Sequence, residues 1–161
     1  MTRFAERLPE VAALLNPAFT ARVLFESARG FSDGDDDPMP FPLAFLTLPL
    51  VLHEETRQAL PRDRRKRFAA WVSENPWIVA TFPARAPEMV ELTREGLRFA
   101  LRTGMLRVTS EGGLQIGRVP RPLSAAQGAD VAACVRAARI VGMWFRTTDI
   151  ATAFALLGVR P

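Results

Sequence analysis

The sequence has very few of the side chains on which most catalytic and metal chemistry depends. Its 161 residues include one histidine, one cysteine and one lysine, and no tyrosine. The single Cys134 cannot form an intramolecular disulfide, and one histidine and one cysteine cannot make a zinc site with several such ligands. A Ser-His-Asp or Cys-His centre would have to use His53. We therefore predict that the protein is not an enzyme and expect no metal.

Nucleotide-binding motifs are missing as well. The sequence has neither the P-loop pattern G-x-x-x-x-G-K-S/T nor the dinucleotide pattern G-x-G-x-x-G, whose glycines bring the backbone close to phosphates. We therefore expect no cofactor and no small-molecule substrate. His53 could be a general base beside Glu54 and Glu55, but we favour a residue that caps or packs at a helix end. Cys134, among alanines, is expected to be a small buried apolar residue.

Positive charge exceeds negative charge only slightly. Lys and Arg total 21 against 17 Asp and Glu, a net charge of +4, which permits a nucleic-acid partner but does not require one. The densest positive stretch, which we call the basic segment, is interrupted only by Asp63. It could bind phosphates or an acidic partner surface, or be a solvated helix start without a ligand. Its members are Arg62, Arg64, Arg65, Lys66 and Arg67.

A second group of arginines repeats every four residues on a predicted helix. This arginine stripe would suit a DNA-reading helix, but it is interleaved with glutamates that can pair with it, two of which lie three residues before a stripe member. We therefore favour a solvated or partner-facing stripe over a DNA-binding one. The stripe consists of Arg94, Arg98 and Arg102, which Arg107 could extend, and the glutamates are Glu88, Glu91 and Glu95.

Helix-start and helix-stop signals predict a mainly α fold. Asn16 and Pro17 are typical of an N-cap and a first helical position, and Gly30 of a left-handed cap, so the first helix should end at Arg29. Apolar residues before it predict a lead-in helix or an apolar arm (Val11, Leu14 and Leu15). Further helices are expected over 54–60, 63–74, 87–103, 125–145 and 149–157, the last capped by Thr148, with one or two helical turns over 77–82.

The segments between the first two helices differ sharply in polarity. Residues 31–40 carry four aspartates (Asp33, Asp35, Asp36 and Asp37) and predict an exposed loop; a cation site is the alternative, although the terminal Glu of a calcium loop is lacking. Residues 41–53 are almost all apolar and should lie at the centre of the core. Pro42 can open a short helix that Pro49 ends or kinks, or the segment is a buried strand.

Alternating polarity around Gly112 and Gly113 predicts a hairpin after the helix over 87–103. A short helix, a longer helix and a hairpin are the plan of a winged helix-turn-helix. We predict one domain over 1–161, with a winged helix-turn-helix-like segment at about 63–118 and a C-terminal helical pair at about 124–158, rich in Ala and Gly for close packing.

The longest apolar run, residues 39–52, is interrupted by prolines and is too short to span a bilayer. We also see no leader sequence. We therefore expect a cytoplasmic protein without a membrane partner.

Several sequence blocks occur in one order from Asn16 to Pro161. None is a catalytic signature; they contain core and turn residues that are specific in combination. The blocks are LLNPAF, MPFPLAFLTLPLVLHEETRQALPRD, AAWVSENP, REGLRFALRTGML, GMWF and FALLGVRP. Together they make the chain resemble the middle component of the bacterial three-component ABC systems.

This resemblance implies a non-enzymatic adaptor. Such components are encoded beside an ABC-type ATPase with coiled coils, similar to the chromosome-maintenance and break-repair ATPases, and beside a variable effector, often a nuclease. Lamassu-type anti-phage defence belongs to this group. The resemblance brings no functional residues with it, so the basic segment and the arginine stripe are candidates on chemical grounds only, and any DNA contact would be indirect. The alternative is a stand-alone winged-helix DNA-binding regulator.

Overall fold

The computed structural model describes residues 16–62 and 64–161, which are mainly α-helical, as predicted. The lead-in helix expected around Val11, Leu14 and Leu15 lies outside the described residues. The helices are α1 (Pro17–Ser32), α2 (Ala44–Val51), α3 (Glu54–Gln58), α4 (Phe68–Glu74), α5 (Pro76–Glu88), α6 (Val90–Arg102), α7 (Ala129–Arg146) and α8 (Ile150–Leu156), with 3-10 turns at Phe41–Leu43 and Ala125–Gln127. The strands are β1 (Met39–Pro40), β2 (Leu106–Val108) and β3 (Gly113–Ile116).

Helices α1 and α7 cross at backbone contact and form the centre of the fold. A Cβ atom at Gly142 would overlap the carbonyl oxygen of Ser27, and one at Gly30 would overlap that of Arg139. Gly30 is therefore an interior helix residue, and the prediction that it ends α1 is wrong. Asp33 instead takes the left-handed C-cap conformation, with φ 42° and ψ 38°. Asn16 is the N-cap as predicted, since its Oδ1 accepts a hydrogen bond from the N–H of Ala18 at 2.8 Å.

The apolar segment forms α2 at the centre of the core, which excludes the strand alternative. All residues of this helix except Phe45 are buried. Pro49 lies inside the helix without ending it, and the buried hydroxyl of Thr47 donates to the carbonyl oxygen of Leu43 at 3.2 Å. Although α2 is the most apolar helix, no helix in the described part of the chain is long and apolar enough to cross a membrane.

The helix pair α5 and α6 departs from the prediction. In place of one or two turns over 77–82, α5 is a helix of 13 residues that contains Pro83 and Pro87. A proline has no backbone N–H, so the carbonyl group four residues before each proline loses its helical hydrogen bond. These carbonyl groups belong to Val79 and Pro83, which lie near the surface, where water can replace the lost donor. Helix α6 begins at Val90, only one residue after α5 ends.

The predicted hairpin is present, and it has a third strand. β3 pairs antiparallel with β2 and, on its other edge, with β1, so the sheet order is β1-β3-β2. A winged helix-turn-helix is not confirmed, because a turn of three or four residues is typical between its helices and only Met89 separates α5 from α6.

The last two helices begin slightly later than expected. Ser124 and Gln127 form the predicted capping box, in which the N–H of Ser124 donates to Oε1 of Gln127 at 2.8 Å, but it caps the 3-10 turn that precedes α7. The N-cap of α8 is Asp149 rather than Thr148, since its Oδ1 accepts from the N–H of Thr152 at 2.9 Å. Both corrections shift a helix start by a few residues and leave the element order unchanged.

The α1–α7 crossing can be tested with Gly142→Ala. The added methyl group has to displace backbone, so we expect a loss of more than about 3 kcal/mol in the free energy of unfolding, measured by urea denaturation. Gly104→Ala is the matched control, because Gly104 has a positive φ of 74° but open space around its Cβ position. Its backbone strain should cost about 1–2 kcal/mol. Equal losses in the two variants would contradict the close crossing.

Candidate functional site

The basic segment lies in the connection between α3 and α4, which two tryptophans hold against the core. Nε1 of Trp71 donates to the carbonyl oxygen of Ala59 at 2.8 Å, and Nε1 of Trp144 donates to that of Lys66 at 2.7 Å. The two indole rings lie 4.9 Å apart, and the ring of Phe68 stacks 5.2 Å from that of Trp144. A buried aromatic cluster therefore fixes both ends of this connection.

Most side chains of the basic segment are exposed. Arg62, Arg64, Arg65 and Arg67 are exposed, whereas Lys66 is half-buried and forms an ion pair with Glu74. The helix expected to start at residue 63 begins only at Phe68, and Asp63 itself is not described. Two causes keep the basic segment outside α4. Cations in the first turn of a helix are unfavourable because they oppose the helix dipole, and the carbonyl oxygen of Lys66 already accepts a hydrogen bond from Trp144.

Part of the basic segment lines a groove of about 950 Å³ between α1, the α3–α4 connection and α7. We call it the arginine groove. Six arginines line it, whereas Asp33 is its one acidic lining residue among those described. The arginines are Arg29 of α1, Arg57 of α3, Arg62 and Arg64 of the basic segment, and Arg136 and Arg139 of α7.

The other members of the basic segment line a second hollow of about 650 Å³, near the start of α8. Arg65, Lys66 and Arg67 are found there, and Arg64 lines both hollows together with Asp33 and Met143. The predicted cluster is thus brought together, but its side chains divide between two concave surfaces that meet at Arg64.

Two of the six groove arginines have partners in the fold. Arg57 donates to the carbonyl oxygen of Val51 at 3.0 Å, and Arg139 donates to the carboxylate of Glu26 at 2.6 Å. The remaining four, Arg29, Arg62, Arg64 and Arg136, form no ion pair with a residue in the described ranges. The groove therefore carries uncompensated positive charge at its surface.

Glu26 is a fully buried carboxylate that pairs with one of the groove arginines. Its two oxygens bind Arg22 at 2.9 Å and Arg139 at 2.6 Å, and Arg22 also donates to the carbonyl oxygen of Arg121 at 2.7 Å. Burying a carboxylate is costly unless it is paired and hydrogen-bonded, and both conditions are met here. The pairing anchors Arg139 at the edge of the groove.

Two arginines of the stripe on α6 pair with one glutamate. Glu91 accepts from Arg98 at 3.0 Å and from Arg94 at 3.4 Å, and the hydrogen bond from Arg98 is the main cause that lowers the pKa of Glu91. The expected pairing is therefore confirmed at Glu91. Arg102 is exposed, Arg107 donates to the carbonyl oxygen of Ile116 at 3.3 Å, and no stripe residue lines the arginine groove.

His53 is the N-cap of α3, which confirms the capping interpretation. The backbone N–H of Thr56 donates to its Nδ1 at 3.3 Å, and the hydroxyl of Thr56 also lies 2.9 Å from Nδ1. Arg85 donates to the same hydroxyl at 3.3 Å, and the ring centroid of Trp77 lies 6.4 Å from that of His53. Burial, and then the positive charge of Arg85, lowers the pKa of His53, which favours the neutral, capping form.

Two other residues that resemble nucleophiles are placed in structural roles. Cys134 is 5% exposed, and burial raises the pKa of its thiol, which disfavours the reactive thiolate. Residues 30–34 read G-F-S-D-G, a match to the G-x-S-x-G nucleophile elbow that sequence reading missed. An elbow places its serine on a strand-to-helix turn, whereas Ser32 is buried at the end of α1 and donates to the carbonyl oxygen of Arg29 at 3.2 Å.

The aspartate loop between α1 and β1 is exposed, as predicted. Asp35 forms an ion pair with Arg146, and Asp36 accepts from Nε2 of Gln115 at 3.1 Å. Among the described residues, no group of three or more His, Cys, Asp or Glu side chains could hold a metal ion. These contacts tie the loop to α7 and to the sheet.

Four of the groove arginines were not identified from the sequence. Arg29, Arg136 and Arg139 are distant from the basic segment along the chain, and only the tertiary fold joins them to it. Arg57 lies close to the segment in sequence, but it is a single arginine on the preceding helix α3. The spacing of Arg136 and Arg139 was a weak signal, since residues three apart share a helix face.

Comparison with family models gives a match over residues 4–161. The matching family is described as ABC-three component (ABC-3C) system Middle Component 3. The match spans every described residue and confirms the resemblance inferred from the sequence blocks. Neither a curated protein nor a solved structure matches the chain significantly.

The cap at His53 predicts a pH dependence of stability. Because its pKa is lower in the fold than the ordinary value of 6.5, the unfolded chain binds more protons and the free energy of unfolding falls as the pH drops through that range. We expect a decrease between about pH 7.5 and about pH 5.5 in urea titrations. His53→Asn, which keeps a good N-cap, should lose less. Equal losses in the two proteins would exclude His53 as the source.

Proposed function

Because this chain belongs to the family of ABC-three component system middle components, we propose that it is a non-enzymatic adaptor that joins an ABC-type ATPase with coiled coils to an effector protein. The family match over residues 4–161 carries this proposal. We further propose that the assembly acts in bacterial conflict, as in anti-phage defence, and that the effector supplies the destructive chemistry. DNA then contacts the assembly through the ATPase, and only indirectly through this subunit.

The chemistry of the described residues supports an adaptor. The single histidine caps α3 and the single cysteine is buried with a raised pKa, so both are used in ways that suit a structural role. The four unpaired arginines of the groove, in contrast, present charge that has no use within the described fold. Charge of this kind at a concave surface favours association with an oppositely charged partner.

A stand-alone DNA-binding regulator has less support. A recognition helix presents free cations to DNA, whereas two of the three stripe arginines on α6, Arg94 and Arg98, pair with Glu91. The one-residue connection between α5 and α6 also differs from a helix-turn-helix. If the chain were such a regulator, it would bind duplex DNA by itself, with an affinity that falls steeply as salt rises.

The adaptor function can be tested by co-purification. The chain is expressed with the ATPase and the effector encoded beside it, and a tag on the ATPase captures the complex. We expect the effector to be retained when this chain is present and lost when it is omitted, because the adaptor provides the connection. Retention of the effector without this chain, or binding of this chain to neither protein, would contradict the proposal.

A further inference from the structure

We infer that the arginine groove binds an acidic, amphipathic segment of a partner protein, with carboxylates on its arginines and apolar side chains on its floor. The identity of the partner, ATPase or effector, rests on the proposed adaptor function. The existence of the binding site rests on the groove itself, whose cationic side chains come from α1, α3, the basic segment and α7.

The charge of the groove selects for carboxylates. Arg29, Arg62, Arg64 and Arg136 are exposed and form no ion pair with any residue that the structure describes. A guanidinium group presents donors in a fork that matches a carboxylate in two parallel hydrogen bonds. Since the four arginines lie on three different elements around one concavity, an acidic segment of several residues would meet more than one of them.

The floor of the groove adds an apolar component. Besides the arginines, Asp33, Gln58 and two glycines, the lining includes six apolar residues: Leu60, Pro61, Ala133, Ala137, Ile140 and Met143. Leu60 and Ile140 are partly buried against the core, so they provide a fixed surface rather than mobile side chains. Arginine and methionine beside apolar residues are enriched in protein–protein interfaces. A partner segment with one apolar and one acidic face would satisfy both parts of the lining.

The same lining disfavours nucleic acid. Asp33 lies in the groove wall, and the chain continues from it through the exposed Asp35, Asp36 and Asp37. A phosphate backbone is negative along its whole length and would meet repulsion at this end. A protein segment can place a neutral or basic residue there, so the charge distribution favours protein over DNA.

The groove is also preorganised. Glu26 anchors Arg139, and the indole of Trp144 holds the backbone of the basic segment at Lys66. Both contacts involve α7, whose close approach to α1 fixes one wall. A site whose backbone is already ordered loses less conformational entropy when a ligand binds.

The inference can be tested with the isolated chain and a synthetic peptide. The probe is a fluorescent peptide of about 16 residues, long enough to form a helix, with glutamates on one face and leucines on the other. Fluorescence anisotropy measures its affinity for the wild type and for Arg62→Glu/Arg136→Glu. We expect the double substitution to weaken binding about tenfold or more, because it replaces attraction by repulsion.

The matched control is Arg94→Glu/Arg98→Glu, which changes the net charge equally but lies on α6, outside the groove. It should weaken binding less than about threefold. Circular dichroism checks that both variants keep the helical fold. Equal weakening in the two variants, no binding of the peptide by the wild type, or tighter binding of a DNA duplex of about 20 base pairs would each overturn the inference.

The assembled complex separates this inference from the adaptor function. In the co-purification described above, Arg62→Glu/Arg136→Glu should release one partner, whereas Arg94→Glu/Arg98→Glu should keep both. If the wild type joins ATPase and effector and the groove variant does so equally well, the groove inference fails and the adaptor function stands. If the wild type binds the peptide but neither partner, the adaptor function fails and the groove remains a site for acidic segments.

Discussion

The crossing of α1 and α7 at Gly30 and Gly142 determines how the rest of this fold is arranged. Because neither glycine has room for a Cβ atom, the helices meet through their backbones. The other elements then pack around this pair: α6 lies against α1, and α2 contacts both helices. One wall of the arginine groove consists of α7 and the end of α1, so the geometry of the proposed site follows from the crossing.

Arg139 connects the α1–α7 crossing with the groove, because it pairs with Glu26 of α1 and also lines the groove. The buried carboxylate of Glu26 lies on α1 and is compensated by Arg22 and Arg139, which uses one groove arginine for stability. The groove arginines that have no ion-pair partner among the described residues contribute nothing comparable to the fold, since exposed charges add little to stability. The fold therefore contains a buried carboxylate paired with two arginines, beside groove arginines that have no ion-pair partner among the described residues, and these groove arginines are the part suited to binding.

Structural features whose cause lies within a few residues could be predicted from the sequence, whereas features that depend on tertiary contacts could not. The N-cap at Asn16, the hairpin at Gly112 and the cap at His53 involve residues a few positions apart, so the pattern contains the whole cause. Gly30 looked like a helix end because nothing local shows the backbone of α7 against it. The basic segment was identified, but the arginines that join it from α1 and α7 could be found only once the chain was folded.

On the proposed function, partner proteins contact the groove face rather than the exposed face of α6. Site-specific photocrosslinking tests it directly, with a photoreactive residue placed at Arg136 or, separately, at Arg98 in the assembled three-component complex. Both positions are exposed in the isolated chain, so exposure alone does not distinguish them. We expect a crosslink to the ATPase or the effector from position 136 and none from position 98. Crosslinking from position 98 with none from position 136 would contradict it.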